Sequence, residues 1–264
     1  MKLSDFAMVG FYDYRLVALS VFIAMLASYA ALDLSGRVTS SHGRTRLLWL
    51  SGGAVAMGIG IWSMHYIGML AFHLPVPVQY DWPTVLLSLL AAVFASAVAL
   101  FVVSRRKMGL LRAAVGSLFM GGGIAAMHYI GMAAMRLPAL CHYSPPLVNA
   151  SVVLAIVISF VALWLTFYFR GARSPGIGLK IVCAVVMGAA IPVMHYTGMA
   201  AASFTPAVLS RQELLHSVSV SVLGAAGISV VTFIVLGLVF LTSLADQDSP
   251  LNHWSFDQTR NATA

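Results

Sequence analysis

Met57-Gly58-Ile59-Gly60-Ile61-Trp62-Ser63-Met64-His65-Tyr66-Ile67-Gly68-Met69-Leu70-Ala71 decides the fold, because the chain writes it three times. The second copy is Met120-Gly121-Gly122-Gly123-Ile124-Ala125-Ala126-Met127-His128-Tyr129-Ile130-Gly131-Met132-Ala133-Ala134. The third is Met187-Gly188-Ala189-Ala190-Ile191-Pro192-Val193-Met194-His195-Tyr196-Thr197-Gly198-Met199-Ala200-Ala201. Nine positions agree in every copy, and the histidines lie 63 and 67 residues apart. Self-similarity at that period marks a repeated structural unit. Each interval has room for two apolar helices.

Around the copies the chain is overwhelmingly apolar. Of its 264 residues, 60% are hydrophobic and 9% are charged, against roughly 25% charged in a soluble domain. Mean hydropathy is +0.92. Two cysteines exclude a disulfide-stapled scaffold. A membrane helix needs about 20 apolar residues, and seven stretches qualify, roughly 15–34, 47–72, 83–103, 113–137, 147–169, 178–202 and 216–244. The expected fold is an all-α membrane protein of seven helices, built as three parallel two-helix repeats plus a seventh helix. Residues 1–244 form the membrane domain and 245–264 a cytoplasmic tail or linker.

Ten of the fifteen basic residues fall in loops 1, 3 and 5: Arg37, Arg44, Arg46, Arg105, Arg106, Lys107, Arg112, Arg170, Arg173 and Lys180. The positive-inside rule then predicts the N-terminus out and the C-terminus in. The net charge of +7 is a topology signal, and nucleic-acid binding has no support. No basic leader precedes the first span, so a cleavable signal is not expected. The expected location is a bacterial inner membrane, with the motifs in the outer half of the lipid bilayer. Cys141 and Cys183 are expected to stay unpaired, Cys141 being the more reactive.

A histidine inside a bilayer is costly and normally faces the bundle interior. Residues four apart share a helix face, so His65 points with Met69, His128 with Met132 and His195 with Met199. Met64, Met127 and Met194 lie about 100° around each helix, within reach of a small rotation. Imidazole with thioether and no carboxylate suits copper, above all Cu(I). Gly68, Gly131 and Gly198 allow close helix contact. Tyr66, Tyr129 and Tyr196 are candidates to hydrogen-bond behind the ligands or to anchor at the interface. Met57, Met120 and Met187, two turns deeper, read first as packing. His73, His142 and His216 are expected on the outer side, either solvated or along a metal entry path. Pro192 should kink the sixth span and free the Gly188 carbonyl.

The triplets Met64-His65-Tyr66, Met127-His128-Tyr129 and Met194-His195-Tyr196-Thr197 resemble the signature of the MHYT family of bacterial integral-membrane sensor domains. The resemblance covers about 15–244, although Ile67 and Ile130 stand where the motif has Thr. It implies copper held by the motif Met and His residues and sensing of a diatomic gas: oxygen, carbon monoxide or nitric oxide. It also implies fusion to cytoplasmic domains that make or degrade cyclic di-GMP. With 20 residues after the last span, the chain reads as a stand-alone member or as the sensory part of a longer protein.

Three rivals remain at the level of sequence. A copper permease would use the deeper methionines as a second step. A haem protein would take two of the histidines, or a histidine and a methionine, as axial ligands. An oxidase would need proton-handling groups, and Asp33 is the one carboxylate inside the first six spans. An enzyme is therefore the least supported reading.

Overall fold

The computed structural model describes residues 7–105, 107, 109–170, 177–208 and 216–219, with 221–222, 224–225, 229–230, 233 and 237. Six long helices carry the fold: α1 (Tyr14–Ser40), α2 (Gly43–Ala71), α3 (Trp82–Val103), α4 (Leu110–Ala133), α5 (Pro145–Arg170) and α6 (Ile177–Ala200). Each is long and apolar enough to cross a bilayer. They belong to a compact unit, Met1–Val231; of the second unit, Thr232–Ala264, only positions 233 and 237 are described, both helical.

Local chemistry sets the helix ends. Asp13 caps α1 by accepting from the Arg15 amide, and Asp81 caps α3 by accepting from the Thr84 amide, with Pro83 in the first turn. Ser41 and His42 alone separate α1 from α2, and this tight corner needs Gly43 at φ +55°. At the same end the Arg46 guanidinium donates to the Ser104 hydroxyl, 2.9 Å, and to its carbonyl. Asp33 binds Arg37 at 2.9 Å on its own helix and Lys180 of α6 at 2.6 Å.

The helices form a closed ring in which each packs on the next and α6 returns to α1. Three glycines make the closest approaches. A Cβ at Gly58 of α2 would strike the Val93 backbone of α3. Gly121 of α4 meets Ile156 of α5 in the same way, and Gly188 of α6 meets Met25 of α1. The outward faces of α3 and α5 expose Leu86, Leu90, Phe94, Val153, Val157 and Val161, as a lipid-facing wall should.

The end of the bundle where α2, α4 and α6 stop differs from expectation. The fourth span, expected to run on to about 137, ends as a helix at Ala133, and after Ala71, Ala133 and Ala200 alike the chain turns extended. Strand β1 (Phe11–Tyr12) pairs with β2 (Phe72–His73). β3 (Gln79–Asp81) pairs with β4 (Met135–Arg136) and with β7 (Ser217–Ser219). β5 (Ala139–Tyr143) pairs with β6 (Ala202–Pro206). Every ladder is antiparallel. Strands of two to five residues are too short to announce themselves by alternation. His216 lies in the turn before β7 rather than at the start of a helix, because backbone pairing with Gln79–Asp81 holds that segment extended. Most of the span expected at 216–244, and with it the seventh helix, falls outside the described residues, as does Arg173 of the fifth loop. α6 runs unbroken through Pro192.

Candidate metal centre

The three motif histidines meet on the bundle interior, near the strand-capped end of α2, α4 and α6. Nδ1 of His65 lies 3.1 Å from Nδ1 of His195 and 3.3 Å from that of His128, and the remaining pair is 3.2 Å apart. All three side chains are fully buried, and their rings stand at 85–90° to one another with centroids 5.0–5.1 Å apart. Among the described residues this is the one cluster of metal-ligating His, Cys or acidic groups.

Two features of the triangle are chemically unusual. A neutral imidazole nitrogen is either a donor or an acceptor, so three mutually adjacent Nδ1 atoms cannot all be paired. At least one contact must set lone pair against lone pair or proton against proton. Further, the three Nε2 atoms are buried with no hydrogen-bond partner among the described residues. Each points at the glycine of another motif: His65 at Gly131, His128 at Gly198 and His195 at Gly68. A Cβ at any of these glycines would collide with the ring tip. Thus the glycine three residues after each histidine is the seat for the histidine of a different helix.

A cation at the centre would resolve the conflict, since all three lone pairs could then point inward. The point equidistant from the Nδ1 atoms lies about 1.9 Å from each, close to the roughly 2.0 Å of a metal–imidazole bond. The triangle therefore fits a small, imidazole-seeking metal ion. Met64, Met127 and Met194 are buried beside the histidines in sequence, and Met69, Met132 and Met199 are buried one turn further on. Met57, Met120 and Met187 line a separate cavity of about 40 Å³ with Ile61, Ile124 and Ile191.

The motif tyrosines turn away from the centre. Each packs edge-on to its own histidine at 4.8 Å. The Tyr129 hydroxyl pairs with Ser151 at 2.6 Å and that of Tyr196 with Ser20 at 2.9 Å. Ser88 is the corresponding residue near Tyr66, whose hydroxyl makes no hydrogen bond among the described residues. A second tyrosine closes each set: Tyr80 on Tyr66, Tyr143 on Tyr129 and Tyr12 on Tyr196, at 5.4–5.9 Å. Burial pushes the Tyr12 hydroxyl up to about 12.

These partners were missed in the sequence, although a signal existed. Val17, Val85 and Val148 are each followed three residues later by a serine, Ser20, Ser88 and Ser151, and eight further on by Ser28, Ser96 and Ser159. All six serines are buried. Ser20, Ser88 and Ser151 donate to the valine carbonyls, so they sit in an apolar helix without an unmet donor. The three histidines outside the motifs at this end are held in the strand cap: His73 stacks on Phe11, His142 pairs with Thr205, and His216 meets Trp82 edge-on. Both cysteines are free, and burial raises the Cys141 thiol above its usual value.

A bundle of six apolar helices around a buried, repeated Met-His-Tyr centre has the build of a membrane domain. The family model for "MHYT: Bacterial signalling protein N terminal repeat" matches residues 58–116, 121–179 and 188–251, and the chain belongs to that family. Each match begins inside a motif helix, and the first two run on through the helix that follows, α3 and α5. The chain is similar to the bifunctional diguanylate cyclase/cyclic di-GMP phosphodiesterase MucR of Pseudomonas aeruginosa, 50% identical over 75% of this chain and 29% of that protein. It is 45% identical to the cyclic di-GMP phosphodiesterase NbdA of the same species, over 72% of this chain and 24% of the relative. It is 42% identical to the signaling protein YkoW of Bacillus subtilis, over 73% and 24%. The chain thus spans less than a third of the length of these relatives. No solved structure matches it.

Proposed function

We propose that the domain is a copper-dependent sensor. His65, His128 and His195 would hold one copper ion through Nδ1, with Met69, Met132 and Met199, and then Met64, Met127 and Met194, as soft partners. The observation that carries this reading is the Nδ1 triangle, 3.1–3.3 Å on each side. Copper suits an imidazole and thioether donor set that lacks carboxylates. When bound, it would supply an exchangeable position for a diatomic ligand such as oxygen, carbon monoxide or nitric oxide.

The protein's own residues then account for how a local change would spread. Each histidine is lodged in another motif helix at Gly131, Gly198 or Gly68. Rotation of one ring therefore presses on a second helix, and that helix carries the next ring. Tyr129 and Tyr196 extend the linkage to α5 and α1 through Ser151 and Ser20. A ligand shifts such an assembly only if it binds two bundle states unequally. The expected frame is three parallel two-helix repeats with a seventh helix, over residues 1–244, N-terminus out and C-terminus in. The histidines would lie toward the periplasmic side of the inner membrane. The tail at 245–264 would lead to a cytoplasmic partner of the cyclic di-GMP type, which the names of two relatives support.

Packing disfavours haem, because rings 5.0–5.1 Å apart in a three-way cluster leave no slot for a porphyrin. The test is elemental analysis of purified protein beside His65→Ala, His128→Ala and His195→Ala. Wild type should hold near-stoichiometric copper, and each variant should lose at least about tenfold in affinity, the scale on which even outer partners of a metal site matter. Equal trace copper in wild type and the triple variant would falsify the reading. Copper flux into proteoliposomes would move the function to a permease.

A further inference from the structure

Deeper in the bundle, the motif helices repeat a second set of side chains. Methionine, isoleucine and histidine follow one another at four-residue steps: Met57, Ile61 and His65 on α2, Met120, Ile124 and His128 on α4, Met187, Ile191 and His195 on α6. Each step rises about 6 Å, so the methionines lie about 12 Å from the histidines along the helices, with the isoleucines between. Met57, Met120 and Met187 line one cavity of about 40 Å³ together with Ser28 and Ser159. That volume suits a small ion or a water. Two observations set it apart from ordinary packing. Methionine is the most pliable filler of a core, and interiors hold few voids, yet here three buried methionines surround an open volume. Further, the fully buried Ser28 and Ser159 hydroxyls make no hydrogen bond among the described residues. Ser20, Ser88, Ser96 and Ser151 instead donate to carbonyls of their own helices.

We propose that Met57, Met120 and Met187 form a second metal site, which takes one soft monovalent cation of the Cu(I) class on three thioethers beside the Ser28 and Ser159 hydroxyls. Thioethers select such ions, whereas harder divalent metals call for carboxylates, imidazoles or thiolates, none of which lines the cavity. A single charge is also the least costly to bring into so apolar an interior, and hydroxyl oxygens turned toward it offset part of the lost hydration. The Thr166 hydroxyl donates to the Ala162 carbonyl at 2.7 Å and reaches the Met187 sulfur only at 4.0 Å, so a sulfur lone pair of Met187 remains for an ion. A water would satisfy the two serines and leave three convergent sulfurs without a role. The site stands whether or not the histidines bind metal.

The probe is Ag(I), a redox-inert stand-in for Cu(I), loaded onto the purified full chain in micelles and counted by elemental analysis. Protein carrying Met57→Leu, Met120→Leu and Met187→Leu together should hold one Ag(I) fewer than wild type. Each single substitution should weaken binding of that ion about tenfold or more, since even outer partners of a metal site act on that scale. Leucine keeps the volume of methionine, so the unfolding temperature should barely move. Should the triple variant unfold, the three single variants decide in the same way. The loss is read as a difference, so it does not depend on what the histidines hold. Zn(II) uptake should be equal in wild type and variant. An unchanged Ag(I) count overturns the proposal and leaves the cavity to water. Equal losses of Ag(I) and Zn(II) overturn it as well, because a general loosening of the bundle would lower both.

Discussion

The two ends of the bundle are held together differently. At the strand-capped end nearly every contact occurs three times: histidine on glycine, histidine on tyrosine, tyrosine on tyrosine, strand on strand. At the opposite end the contacts are single. Asp33 clamps Lys180 and Arg37, Arg46 caps Ser104, and Gly43 turns one corner. Nothing equivalent to Asp33 occurs in the other helices, since Phe101 and Trp164 stand at the corresponding places of α3 and α5. Packing alone does not require threefold identity, and the opposite end is built without it. Among the described residues the repetition runs from the strand-capped end, where the three histidines converge, into the middle of the bundle, where Gly58, Gly121 and Gly188 make equivalent approaches, and it stops short of the opposite end.

That contrast can be broken most forcefully at the glycines. Gly68→Ala, Gly131→Ala and Gly198→Ala each drive a methyl into an imidazole that two other imidazoles hold in place. Overpacking of this kind costs about 1–3 kcal/mol. All three should lower the unfolding temperature in micelles by similar amounts and lower copper content together. If one of the three is silent, the centre does not depend on all three seats. Asp33→Asn tests the unique end. Its ion pairs are about a quarter exposed, so the loss should be about 1 kcal/mol or less, and copper content should not change. Lys180 can extend its ammonium toward the interface once released.

The smallest effect concerns Asp81 at the head of α3. The Thr84 hydroxyl donates to its carboxylate and holds it below the usual range, with the Thr84 amide and Arg136, 3.9 Å away, adding to this. A carboxyl whose folded value is depressed contributes stability above its unfolded value, near 4, and loses it as pH falls through the folded one. Acid should therefore loosen the corner where β3, β4 and β7 meet. Asp81→Asn should flatten that dependence below about pH 5 while leaving neutral stability almost unchanged, because Asn caps as well as Asp. Hydrogen exchange of the Gln79–Asp81 amides would report it.

Much of this architecture was legible in residue order. The scarcity of charge placed the helices, and the triple Met-His-Tyr motif marked the interior. The strand cap was not legible, because Phe72–His73 and Met135–Arg136 are two-residue strands with no pattern of their own. They exist through their partners, Phe11–Tyr12 and Gln79–Asp81, which lie two whole helices away along the chain. The buried serines were legible in principle, since their repeat runs at spacings of 68 and 63, but serine carries little weight in a search for metal ligands. The seventh span stays an expectation from composition.

By itself the sequence determined the solvent of this protein, its repeated unit and its family, because those depend on composition and on periodicity within one helix. Helical spacing places His65 over Met69, but it cannot say what either one meets. Which atoms converge depends on how far each helix is rotated against its neighbours, and packing between segments distant in the chain sets that rotation. Only the tertiary structure therefore decided that the ring tips enter the glycines of other motifs. The same packing turned three Nδ1 atoms, none of which can satisfy the other two, toward one point.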